Sequence, residues 1–175
     1  SQMRRTFTDN VLETKIKPEI LKFPNESIFK HIRKDTSVGE EFLEEILYTQ
    51  KDNQYAFSIL SLLYPHLDYK NNNFHKDHTH PASTFEKLSA ENKEKYGWHT
   101  FNSIYNLQML DANENMSKND LNLIDWVNKE TNETNRTQFL NSHLIPDVNL
   151  ELENFEEYFD KRKVMLMENM KTLLN

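Results

Sequence analysis

Residues 71–83 read NNNFHKDHTHPAS, which packs His75, Asp77, His78 and His80 into six positions against Pro81. A histidine near its ordinary pKa can take a proton from water at neutral pH. A carboxylate offers hard oxygen to a divalent cation. On a strand, neighbouring side chains leave on opposite faces, so His75 and Asp77 share one face and His78 and His80 the other. That split argues against a four-ligand zinc cage from this stretch alone; a zinc site would need a further ligand such as His99. The same residues also suit a plain surface turn.

The elements around the cluster read as mostly helical. Two glycines and five prolines in 175 residues leave few of the tight turns that an all-β fold requires. Helical spacing is expected over 25–35, 37–50 and 54–67, the last apolar nearly all round and read as the central core helix. The Asn run at 71–73 then leads into a short strand ending near residue 78. A helix over 81–97 restarts at Pro81 and ends at Gly97. YNLQMLD (105–111) alternates and reads as a second strand, followed by helices over 113–130, 135–146 and 150–174. The expectation is an α+β, predominantly α-helical domain with two short strands embedded among helices. Its regions are a helical scaffold (1–70), the strand-bearing unit with an inserted helix (71–130) and a C-terminal helical region (131–175). The abrupt opening SQMRRTF reads as the start of a fragment of a longer protein.

Composition removes several classes of function. With no cysteine there is no disulfide framework, thiolate zinc knuckle or cysteine nucleophile. No apolar run approaches the roughly 20 residues of a membrane span, and no signal peptide opens the chain, so a cytoplasmic protein is expected. The net charge of −7 weighs against a general nucleic-acid coat. Most of that acid sits in residues 119–175, with eleven acidic against six basic groups, and the cluster region is nearly neutral.

Four positions in order give the cluster a context. Asp77-His78 is followed by Pro81, Asn106 opens NLQML, Asn115 stands nine residues on, and Lys118 three further. Strand, connection, strand and helix with these residues resemble the HNH, or ββα-metal, nuclease superfamily. The flanks carry Trp126, Arg136, Phe139, Leu140, HLIP (143–146), Phe155, Phe159 and Arg162. From about residue 38 to 174 their order resembles the C-terminal nuclease region of GmrSD-type modification-dependent restriction and phage-defence proteins. Many superfamily members pin the unit with cysteine pairs on zinc; here helices must supply the scaffold, and a helix fills the long gap from His78 to Asn106.

The resemblance implies a Mg²⁺- or Mn²⁺-dependent DNA endonuclease, working beside an N-terminal ParB-like, nucleotide-using domain of the same full-length protein. It implies His78 as general base, and Asn106 as the catalytic-motif residue whose amide ties the connecting loop to the strand. Asp77 and Asn115 would hold the metal, and Lys118 and His80 would meet substrate. Each has a plainer reading beside it: Asn115 as a helix N-terminal residue, Asn106 as a turn former, Lys118 as a solvated helix residue. His75 reads as structural and His99 as packing beside Trp98. His31, His66 and His143 read as structural, as do Arg136 and Arg162. Two rival functions stand: a zinc protein built on the His75–His80 cluster, and a non-catalytic interaction module of a defence protein.

Overall fold

Asp111 closes a strand and opens a helix with no linker between them, which organises the centre of the fold. Its side chain accepts from the backbone N–H of Asn113 and Glu114 while Glu114 reaches back to the Asp111 N–H, a complete capping box. The computed structural model describes residues 39–174. The helix expected over 25–35, with His31, lies outside them.

In chain order the elements are α1 (Glu40–Leu47), α2 (Ala56–Leu63), β1 (Phe74–His78), α3 (Ala90–Phe101), β2 (Leu107–Asp111), α4 (Ala112–Lys118), α5 (Leu123–Glu130), α6 (Arg136–Ser142) and α7 (Phe155–Leu174). Short 3₁₀ turns at Ala82–Lys87 and Ile104–Asn106 bracket α3. The domain is thus mostly helical with one small antiparallel sheet, in which Asp77 pairs with Gln108 and His78 with Leu107. No helix among the described residues is long and apolar enough to cross a membrane.

Several expected boundaries move for physical reasons. Gly97 interrupts the helix where its end is expected, with φ 60°, ψ 171°, a backbone state open in practice only to glycine, and a second short helical stretch then runs on beyond it to Phe101. The helix expected over 113–130 divides into α4 and α5 because Asn119 takes a positive φ of 46°. Helix α2 is not buried all round; Ala56, Leu60 and Leu63 face the core while Phe57 and Leu62 remain exposed. Strand β2 alternates in sequence but is covered on both faces, so Gln108 is buried, with Nε2 3.4 Å from Asp77 Oδ2 and Oε1 without a partner among the described residues.

The deepest large side chains are Trp126, Arg162, Tyr64, Tyr105 and Tyr158. Arg162, on α7, is wholly buried and spends its guanidinium on backbone carbonyls. Its Nη2 donates to Leu107 at 2.7 Å, and its Nη1 donates to Leu144 and to His143 at 3.4 Å. One side chain therefore joins the C-terminal helix to the first residue of β2 and to the HLIP turn. That turn bends at Leu144, whose φ is 52°.

Candidate active site

The end of β1 is gripped from three sides. From the inserted segment, Asn106 Oδ1 accepts the His80 N–H at 2.9 Å, and Asn106 Nδ2 donates to the His80 and Phe101 carbonyls, both at 3.0 Å. Its own carbonyl accepts the Thr79 N–H at 2.8 Å. The chain leaving β1 is thereby locked to the chain entering β2. From α4, Lys118 Nζ donates to the His78 carbonyl at 2.7 Å and to Asp77 Oδ2 at 2.9 Å, and sits 5.8 Å from the Trp126 ring centroid. From the loop after α1, Lys51 Nζ stands 3.4 Å from His78 Nδ1.

His78 is buried, its ring stacked near Phe101 and 6.2 Å from Trp98. Its Nε2 lies 2.9 Å from Asn102 Oδ1. Burial first, and the Lys51 ammonium second, push its pKa down to about 4. At neutral pH the ring is uncharged, so one nitrogen carries a lone pair.

Asp77 leaves the strand on the opposite face from His78. Its Oδ2 is taken by Lys118 and, at 3.4 Å, by Gln108 Nε2. Its other oxygen makes no hydrogen bond to a described residue. Asn115 is half-buried on α4, three residues before Lys118 and so on the same helix face, and its amide too makes no hydrogen bond to a described residue. A Mg²⁺- or Mn²⁺-type ion needs few protein oxygens and keeps several waters, so one free carboxylate oxygen and one free amide oxygen suit it in kind. Among the described residues no three His, Cys, Asp or Glu side chains converge as a metal cage.

Other residues of the cluster disperse. His80, expected at substrate, is buried edge-on against Phe155 and Tyr158, and burial drives its pKa down to about 3. Its Nε2 finds no partner among the described residues. His75 is exposed on the far face of β1. With His78 on Asn102 and His80 among aromatic rings, the four cluster residues do not converge on a zinc ion. Lys118 is not a solvated helix residue; only 1 % of it is exposed, because its ammonium is spent on Asp77 and the His78 carbonyl. In that position it faces the strand end, not solvent, so a substrate contact would require it to leave Asp77. His99 is exposed and stacks on Tyr48. His66 is exposed beside Tyr64. His143 is buried against Trp126 and Phe139. Arg136 reaches Asn128 on the surface.

Three residues escape a reading of the motif: Lys51 and Asn102, which meet the His78 ring, and Gln50, which meets Asn102. Lys76 joins them, sharing the His78 face of β1 and donating to the Lys51 carbonyl. Neither Lys51 nor Lys76 pairs with a carboxylate among the described residues, whereas Lys93, Lys95, Lys163 and Lys171 all do. Nothing in local periodicity marks Gln50, Lys51 or Asn102. The only signal was Gly97, five residues before Asn102, a glycine inside a helical pattern. No family model matches the chain, and no curated protein is significantly similar to it.

Proposed function

We propose that this domain is a ββα-metal (HNH-type) nuclease that hydrolyses DNA phosphodiester bonds. In this reading it is the effector region of a GmrSD-like restriction or phage-defence protein acting in the cytoplasm. The observation that carries the reading is the end of β1. Consecutive residues there present a neutral imidazole on one face and, on the other, a carboxylate with one oxygen unbonded among the described residues. Lys51 stands at the imidazole and Lys76 shares its strand face, neither paired with a carboxylate among the described residues. Water attack on a phosphodiester needs a base, a cation at the phosphate and fixed geometry between them.

His78 takes the proton of the attacking water at Nδ1. Lys51 and Lys76 draw the phosphate toward that nitrogen, and the phosphate's negative charge offsets the ammonium that, after burial, depresses the base. Asp77 and Asn115 would hold Mg²⁺ or Mn²⁺, which when bound supplies positive charge at the scissile phosphate and departing oxygen. Lys118 keeps Asp77 aimed by fixing both its carboxylate and the following carbonyl. Asn106 holds the strand end rigid behind His78. In the full-length protein, an N-terminal ParB-like domain would supply the nucleotide-dependent control.

The test is incubation of supercoiled plasmid with the protein and Mg²⁺ or Mn²⁺, wild type beside His78→Ala. Nicking by wild type, with a loss of about 10²–10⁴-fold in the variant, is expected. Equal cleavage by both proteins removes His78 as the base. No cleavage by the full-length protein with any divalent ion removes the nuclease reading.

A further inference from the structure

The segment inserted between the strands does more than fill a gap. Gln50 Nε2 donates to two backbone carbonyls, Tyr48 at 3.0 Å and His99 at 2.7 Å. Carbonyls only accept, so the other end of the Gln50 amide, Oε1, must be its oxygen. That oxygen lies 3.3 Å from the Asn102 amide, which must therefore turn its NH₂ toward Gln50. Asn102 Oδ1 is then the atom 2.9 Å from His78 Nε2. An oxygen acceptor there requires Nε2 to carry the proton. Lys51, whose ammonium can only donate, faces Nδ1 and independently requires that nitrogen to be the lone pair.

We infer that Asn102 is a positioning residue, set by Gln50, which holds His78 in the Nε2–H tautomer and leaves Nδ1 as the basic atom. Two backbone features deliver it. Gly97 breaks α3 with φ 60°, and the last turn then carries Asn102 to its cap position, where its N–H bonds the Trp98 carbonyl at 2.8 Å. Gln50 is brought alongside by an isolated antiparallel bridge to Ser103, and the Lys51 N–H bonds the Asn102 carbonyl at 3.0 Å. The relay Gln50–Asn102–His78 thus ties the loop after α1 to the end of β1 through α3. In a neutral histidine the nitrogen that keeps its proton is decided by the bond the ring makes, so this amide decides which atom can act.

The catalytic consequence rests on the nuclease reading; the tautomer does not. Long-range ¹H–¹⁵N correlation spectra of the ¹⁵N-labelled protein at neutral pH report the tautomer directly. Wild type is expected to show His78 protonated at Nε2 alone. Asn102→Asp, which keeps an acceptor, is expected to preserve that signature, and Asn102→Leu to admit the Nδ1–H form. An Nδ1–H ring in wild type, or an unchanged tautomer in folded Asn102→Leu, overturns the inference. If Asn102→Leu does not fold, Gln50→Met makes the same test, with the same shift expected. In plasmid cleavage with Mn²⁺, Asn102→Leu should lower kcat by about 10–100-fold at unchanged KM, the size of loss seen when the hydrogen-bond partner that orients a metal-bound histidine is removed. Asn102→Asp should restore most of it. A protein that cuts nothing while showing the expected tautomers would fail the nuclease reading and leave the relay standing.

Discussion

Lys118 and Asp77 form a lopsided pair: the ammonium is wholly enclosed, the carboxylate is one-fifth exposed, and 2.9 Å separates them. Burial pulls the lysine's pKa down and Asp77 opposes that pull, so the carboxylate is what keeps this cation tolerable in the interior. Lys118 also holds the His78 carbonyl. A residue that a helical wheel would assign to solvent therefore fastens α4 to the end of β1.

Asp77→Ala should accordingly cost stability as well as activity. Removing one partner of such a pair strands the other, at a cost of about 3–5 kcal/mol for fully buried pairs and at the low end here, since Asp77 is partly wet. Adding Lys118→Met should recover most of that stability without recovering cleavage. Urea denaturation and plasmid nicking on the single and double variants separate the two effects. If Asp77→Ala unfolds at the wild-type urea midpoint, Lys118 does not depend on it.

Gly97→Ala should destabilise although the new methyl would meet no atom within 4 Å. The cost is conformational: φ 60° with ψ 171° is a region held almost only by glycine, and forcing another residue into it costs about 1–3 kcal/mol. Trp98, the next residue, is 46 % exposed beside Phe85 and His78. A shift of its fluorescence together with a lowered Tm is expected; an unchanged Tm would show that this backbone state is not needed.

The parts of this arrangement that were legible in sequence are those encoded locally. Strand β2 could be read from YNLQMLD because alternation acts over a few positions, and a helix after it was expected, though the Asp111 cap that starts α4 was not read. Asn106 and Asp77 could be singled out by order and spacing. Lys118 and His80 could be named but not placed: a lysine is normally solvated and a histidine in a polar run normally exposed. Only the packing of Trp126, Phe155 and Tyr158 around them decides otherwise. Asn102 and Gln50 were illegible because their roles come from two amides meeting across 52 positions, which no periodicity encodes. Gly97 was visible as a helix end and the helix does break there, but the further helical stretch to Phe101 that carries Asn102 was not legible.

Buried neutral histidines should make the fold acid-sensitive, and His143 allows that to be isolated. Burial, then Arg162 and His66, push its pKa down to about 4, so its contact with Glu114 at 3.6 Å is not an ion pair at neutral pH. In the unfolded chain a histidine titrates near 6.5. Below that pH the unfolded state binds the proton that the folded state refuses, so stability present above about 6.5 is lost as pH falls toward 4. The slope is about 1.4 kcal/mol per pH unit for this one group. His143→Leu should flatten the pH dependence of unfolding free energy by that amount between pH 6 and 4.5, measured by urea titration. Parallel profiles for the two proteins would show that His143 is protonated in the folded state.

Lys51 and Lys76 should account for DNA affinity in a protein whose net charge is −7. Each phosphate neutralised releases counterions, so removing one contacting lysine lowers the slope of log affinity against log salt by about 1. Binding to a short duplex in the presence of Ca²⁺, followed by anisotropy across a salt series, reads that slope without depending on turnover. Lys51→Ala and Lys76→Ala should each weaken binding and flatten the slope, and together they should do so nearly additively. Lys171→Ala is the control, since that lysine is paired with Glu40 at the other end of the domain's long helix. Three identical slopes would mean that the face around His78 does not meet phosphate, and the substrate would have to approach from the Asp77 side instead.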